Sequence, residues 1–214
     1  MTATGRFITF EGGEGGGKST QLRLLAEELR AAGREVVTTR EPGGSPGAED
    51  IRALLVQGEV GRWDGLTEAL LHSAARRDHL VRTVWPALAR GAWVLCDRFA
   101  DSTLAYQGYG HGMALGTIAQ LTHTATGGFG PDLTLILDLP VADGLRRAHG
   151  RGGAEDRYER MGTAFHERLR QGFLDIARAE PGRCVVVDAA RPLTEVQAAV
   201  LAAVHARLGA GPGR

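Results

Sequence analysis

The sequence predicts an α/β fold, a five-stranded parallel sheet with helices on both faces. Three observations predict it. Five short apolar runs, at residues 7–10, 36–38, 93–96, 133–137 and 184–187, are rich in β-branched and aromatic side chains. They do not alternate cleanly with polar residues, the pattern of strands covered on both faces. Helical patterns separate them, and strands alternating with helices build a doubly wound sheet.

The elements follow in order. The first strand leads into a glycine-rich loop and then a helix in which Leu22, Leu25, Ala26 and Leu29 keep i, i+3, i+4, i+7 spacing. Gly33 stands where a C′ glycine would end it. Ile51, Leu54 and Leu55 mark a second helix. A third runs from residue 67 toward residue 90, bent or interrupted at Pro86. A fourth covers residues 115–124, and two more occupy 158–179 and 193–208. Residues 108–112 and 127–130 read as loops, and 209–214 as a frayed tail. Ligands of such sheets sit beyond the carboxyl ends of the strands. There the sequence carries Glu11, Arg40, Asp97, Asp138 and Asp188, all charged.

Length and charge bound the function. The 214 residues suit a single domain, 1–214. Twenty-five basic residues balance twenty-five acidic ones, so no overall positive field recruits nucleic acid or an anionic membrane. No apolar run is long enough for a membrane span, and the first strand begins too early for a signal peptide. Cys96 and Cys184 sit in apolar runs and read as core residues of a reducing, cytoplasmic protein. All but one of the basic residues are arginine. The exception is Lys18.

Lys18 closes the run Gly12-Gly13-Glu14-Gly15-Gly16-Gly17-Lys18-Ser19, which matches G-x-x-x-x-G-K-[ST] between a strand and a helix. Glycines let successive N–H groups turn inward around phosphate oxygens, and the helix N-terminus adds its dipole. Lys18 reaches the terminal phosphates, the Ser19 hydroxyl can ligate Mg²⁺, and Thr20 follows in the first turn. The chemistry is that of a nucleoside triphosphate with Mg²⁺. A guanine-reading Asn-Lys-x-Asp segment cannot exist here, because the chain has no asparagine and no second lysine.

A kinase must also bind an acceptor. Asp97-Arg98 follows the third strand, where an acid can hold Mg²⁺ through water and an arginine can sit between two phosphates. The stretch from Arg147 through Arg151 to Arg160 is arginine-dense and glycine-broken. It reads either as a mobile cover, over about residues 143–160, or as a solvated charged loop.

Several segments in this order resemble the bacterial type of thymidylate kinase. They are Phe10-Glu11-Gly12-x-Glu14-Gly-x-Gly17-Lys18-Ser19-Thr20, Thr39-Arg40-Glu41-Pro42-Gly43-Gly44, Ala74-Ala75-Arg76, Asp97-Arg98-Phe99-x-x-Ser102-Thr103-x-Ala105-Tyr106-Gln107-Gly108 and Asp156-Arg157-Tyr158-Glu159. The resemblance implies the P-loop nucleoside monophosphate kinase fold with a short lid, and the reaction ATP + dTMP → ADP + dTDP with Mg²⁺ in a homodimer. It implies that Glu14 holds the 3′-hydroxyl of dTMP. Arg76, Thr103 and Gln107 would hydrogen-bond thymine, and Tyr106 would fill the space of a ribose 2′-hydroxyl. Arg40 and Arg98 would grip the acceptor phosphate. Gly15 replaces the loop arginine of the other subtype, so the lid would supply it from Arg147 or Arg151, with Arg151 acting in transfer and Arg147 on ATP. The turn 188–192, with Arg191, resembles the adenine-side loop.

One position departs. His72 stands where the family has a phenylalanine stacked on the base, and a neutral imidazole stacks with less area. Its protonation would make the dTMP Michaelis constant vary between about pH 6 and 8. Two alternatives stay open: another deoxynucleotide or nucleoside kinase of the same fold, and a non-enzymatic nucleotide-binding regulator. Residues 102–107 speak against the first, the acceptor arginines against the second.

Overall fold

The structure, a computed structural model, describes residues 5–149 and 157–209. Strands β1 (Arg6–Glu11), β2 (Val36–Arg40), β3 (Trp93–Asp97), β4 (Leu133–Asp138) and β5 (Cys184–Asp188) pair in parallel in the order β2-β3-β1-β4-β5. Each ends on the charged residue read from sequence, so Glu11, Arg40, Asp97, Asp138 and Asp188 share the carboxyl edge. Register sets Asp97 beside both Phe10 and Arg40. From β1 the chain goes to β2 and back to β3 on one side, then crosses to β4 on the other, so the connections diverge between neighbouring β1 and β3, the switch point where such sheets open a crevice.

Strand alternation divides the core between two faces. Ile8 and Phe10 pack with Leu22, Leu25 and Leu29 of α1 (Lys18–Ala31) and with Val196, Val200 and Val204 of α9 (Leu193–Leu208). Phe7 faces the other way, onto Leu80, Val84 and Phe99. There α8 (Thr163–Ala179) adds Phe165, Leu169 and Phe173 around Ile136. Full burial of each such side chain contributes roughly 1.5–3 kcal/mol. Gly33 ends α1 as expected, at φ 77° with its N–H on the Arg30 carbonyl.

Helices α2 (Pro46–Val56), α3 (Gly65–His79), α4 (Trp85–Ala89), α5 (Ala100–Thr103), α6 (Leu115–Thr126) and α7 (Val141–His149) complete the α-helices among the described residues. The third expected helix neither kinks apart nor stays regular. Pro86 has no N–H to give, and its ring would strike the Arg82 carbonyl in α geometry. A π-helical stretch, Leu80–Val84, widens the turn and joins α3 to α4.

Three other expectations change. Residues 104–110 continue α5 as a π-helix, so the loop read at 108–112 begins only after Gly110. The glycines serve packing: a Cβ on Gly110 would meet the Phe165 ring, and one on Gly172 would meet Tyr109. The helix read from residue 158 starts at Thr163, because Arg157 pulls its segment into a turn by donating to the carbonyls of Leu55, Glu59 and Val60. The expected cover begins as helix α7, through His149. Arg151 and Asp156 lie outside the described residues.

Candidate active site

The loop between β1 and α1 turns through glycines whose conformations side chains rarely adopt: Gly12, Gly15 and Gly17 have φ of 124°, 69° and 83°. Gly15 also touches α7, since a Cβ there would collide with the Gly144 carbonyl. Lys18 is buried, and its Nζ donates to the carbonyls of Gly12 at 3.2 Å and Gly13 at 2.7 Å. Burial, with Arg98 nearby, lowers its pKa to about 8, against the pull of Glu14 and Asp97. The Ser19 hydroxyl donates to Asp97 Oδ2 at 2.6 Å, and Thr20 is exposed beside it. A hydroxyl and a carboxylate at the mouth of this loop are hard oxygen donors of the kind that would suit Mg²⁺.

Arg98 joins this loop to a neighbouring pocket. Its φ of 69° is the only positive value among the described non-glycine residues. Its guanidinium donates to Gly12 O at 3.0 Å, Ser102 Oγ at 3.2 Å and Glu14 Oε1 at 2.9 Å, and lies 5.1 Å over the Tyr106 ring. Glu11 holds the turn that follows that strained residue: its carboxyl accepts the Phe99 N–H at 2.7 Å and bonds the Ser102 hydroxyl at 2.6 Å. Burial first, and Asp101 second, push Glu11 up to about 8. Glu14 moves oppositely. Burial opposes its ionisation, but Arg98, Lys18 and the Tyr106 hydroxyl bound to it outweigh that and bring it to about 2.

The pocket beyond is lined by Glu14, Arg52, His72, Arg76, Arg98, Thr103, Tyr106, Gln107 and Tyr158, among others. Arg76 is 1% exposed and held at three points: Nε on Glu41 Oε2 at 2.8 Å, and Nη2 on Phe99 O at 3.1 Å and Thr103 Oγ1 at 2.9 Å. His79, itself bonded to Thr39, fixes the other Glu41 oxygen. Gln107 is fully buried and gives its Nε2 to Glu68 Oε2 at 2.9 Å. Each residue keeps one buried polar atom with no partner among the described residues, the donor Arg76 Nη1 and the acceptor Gln107 Oε1. Buried polar groups of this kind require a partner. Both residues line the pocket.

The Thymidylate kinase family profile matches residues 10–200 of the chain. A thymidylate kinase of Caulobacter vibrioides is 62% identical over 96% of this chain and 98% of its own length. One of Dinoroseobacter shibae is 55% identical over 94% and 97%. The crystal structure of thymidylate kinase from Ehrlichia chaffeensis superposes with a TM-score of 0.75 at 39% identity, covering 92% of this chain and 97% of that one. The chain belongs to the thymidylate kinase family. It is accordingly a nucleoside monophosphate kinase, with the P-loop fold of that class.

The expected residues divide by where the fold places them. Glu14, Gly15, Gly16, Gly17, Lys18, Ser19, Asp97 and Arg98 converge on one crevice, Gly12 and Gly13 hold Lys18 through their carbonyls, and His72, Arg76, Thr103, Tyr106 and Gln107 line the pocket beside it. Arg40 faces the crevice while paired to Glu49 at 3.0 Å. Arg147 lies on α7 and donates to the Ala189 carbonyl at 3.2 Å, next to Arg191, which pairs with Asp188 and Glu195. The pH expectation for His72 is corrected. Burial, then the Arg76 charge, lower its pKa to about 4, so it stays neutral between pH 6 and 8, with Nε2 3.2 Å from the Tyr158 hydroxyl. Sequence reasoning missed Arg52, which lines both crevice and pocket, and the orienting carboxylates Glu41 and Glu68. Helical spacing carries a weak signal for one of them: Glu68, His72 and Arg76 recur every fourth residue of α3, on one face.

Proposed function

We propose that the chain transfers the γ-phosphoryl group of ATP to dTMP, giving ADP and dTDP for dTTP synthesis. The observation that carries this reading is the pair of unpartnered buried atoms on two residues that line the pocket. A thymine edge presents an acceptor at O4 and a donor at N3–H, complementary to Arg76 Nη1 and Gln107 Oε1. A cytosine edge presents a donor and then an acceptor, which mismatches both.

In transfer, an acceptor-phosphate oxygen attacks the γ-phosphorus and the bond to the β–γ bridging oxygen breaks, releasing ADP. No proton need be removed, so positioning and charge neutralisation supply the catalysis. Lys18 and Arg98 bring cations to the transferring group, with Arg151 as the lid arginine. Arg40 and Arg98 hold the acceptor phosphate. Glu14, ionised above about pH 2, accepts the 3′-hydroxyl. The Tyr106 ring, fixed under Arg98 and tied to Glu14, fills the side a ribose 2′-hydroxyl would need. Ser19 and Asp97 fit Mg²⁺, which when bound supplies charge neutralisation at the β- and γ-phosphates. Arg147 and Arg191 lie on the adenine side. The chain works as a cytoplasmic homodimer: buried, free Cys96 and Cys184 suit a reducing compartment, and Leu66 and Leu70 on α3 leave apolar surface for a second copy.

A bisubstrate analogue joining thymidine to adenosine through phosphates tests the two-site reading. It should bind tightly and be displaced by either ATP or dTMP. Displacement by ATP alone would instead describe a nucleotide-binding regulator.

A further inference from the structure

An amide reads a base only if something decides which end of it faces the base. Gln107 has two ends of equal size and opposite polarity, and the carboxylate behind it makes the choice. Glu68 is fully buried on α3 and receives the Gln107 Nε2 at 2.9 Å on Oε2, with the Tyr158 hydroxyl at 3.3 Å and His111 Nε2 at 3.4 Å on the same oxygen. The other oxygen, Oε1, takes the buried Arg157 guanidinium. A carboxylate accepts and cannot donate. It therefore holds the Gln107 NH₂ to itself and leaves the oxygen for the ligand. Burial resists ionisation of Glu68, but the bonds from His111, Arg157 and Gln107 prevail and keep it near pKa 2, acceptor-only at neutral pH.

We propose that Glu68 is a positioning residue for base specificity, fixing the Gln107 amide with its oxygen toward the nucleobase. The proposal rests on the reading of the pocket as a thymine site. Glu68 touches no substrate; it acts through Gln107.

The geometry makes an unusual demand of the isosteric change. In Glu68→Gln, Arg157 retains the oxygen, so the new NH₂ falls on the Gln107 side. Gln107 must then present its own oxygen to residue 68 and its NH₂ to the base, which inverts the polarity of that contact. Glu68→Asp is the larger steric change, yet it keeps an acceptor-only group.

The test is kcat/KM for dTMP and for dCMP with wild type, Glu68→Gln, Glu68→Asp, Gln107→Ala and the double variant Glu68→Gln/Gln107→Ala. Glu68→Gln should lower the dTMP-to-dCMP ratio about tenfold or more, the scale of one mismatched buried hydrogen bond. Glu68→Asp should preserve the ratio even if its turnover falls. In the Gln107→Ala background, Glu68→Gln should leave the ratio unchanged, which a merely structural role would not produce. An unchanged ratio in Glu68→Gln, or an equal fall in the Gln107→Ala background, overturns the proposal. A wild type that uses dCMP as readily as dTMP overturns the thymine-site reading instead. If Glu68→Gln does not fold, the wild type still decides. With ¹⁵N-labelled glutamine, the Gln107 side-chain NH₂ should exchange slowly both with and without dTMP. Protection only in the presence of dTMP would turn that NH₂ toward the base and overturn the proposal.

Discussion

At the residue scale, Arg98 and Arg76 illustrate two ways of aiming a guanidinium. Arg98 occupies a left-handed conformation at the end of β3 and is aimed by its own backbone, with the turn that follows it clamped by Glu11. Arg76 is aimed by its bonding partners, which consume every direction but one. His72 sits beside Arg76 and is kept neutral by burial and by that neighbouring charge, at about pKa 4. His72→Phe should bind dTMP as well as wild type or better, and His72→Ala should weaken it by about 1 kcal/mol, one aromatic contact. The ratio of dTMP Michaelis constants between wild type and His72→Phe should stay constant from pH 6 to 8. A ratio that changes across that range would mean His72 titrates there. Lys18 could be singled out in the chain because the phosphate-loop spacing is contiguous, whereas the expectation for Glu14 came only with the family resemblance. The orienting roles of Glu41 and Glu68 could not, because their partners lie 35 to 90 residues away and meet only through packing.

At the element scale, the phosphate loop and α7 are joined by glycine. Gly15 packs on the Gly144 carbonyl, and a Cβ on Gly144 would stand 2.5 Å from the Glu14 carbonyl oxygen. Backbone meets backbone there, so neither side chain motion nor a rotamer change can relieve added volume. Gly144→Ala should displace Glu14 and the loop, lowering kcat/KM for both ATP and dTMP by about tenfold or more, since a shift near 1 Å costs on the order of 10²-fold in positioned reactions. Steady-state kinetics with each substrate varied would check this, and unchanged constants would show that α7 yields freely. The strands and most helices were legible, since apolar runs and i, i+4 spacing report burial directly. The π-helix at Leu104–Gly110 was not, because its glycines serve close packing, Gly108 against Leu115 of α6 and Gly110 against Phe165 of α8, and glycine in sequence reads first as a turn.

At the scale of the whole molecule, stability and function meet at Glu11, a fully buried carboxyl at the centre of the sheet's carboxyl edge. Its pKa is raised from the ordinary 4.5 to about 8, so the folded state binds more protons than the unfolded chain between those values. The stabilisation is complete below pH 4.5 and is lost as pH rises through 8. Urea unfolding across pH 5–8 should show wild type losing stability relative to Glu11→Gln, by about 1.4 kcal/mol per pH unit at most. Parallel curves for the two proteins would place Glu11 ionised throughout. The architecture as a whole serves one reaction, with the triphosphate loop at the switch point of the sheet and the nucleobase pocket one arginine away. The direct measurement is ADP release in a coupled assay, with ATP and Mg²⁺ as donor and dTMP, dUMP, UMP, GMP or thymidine as acceptor. The highest kcat/KM should belong to dTMP, with no turnover of thymidine, which lacks the acceptor phosphate. Failure to turn over dTMP, or faster turnover of thymidine, would contradict the assignment.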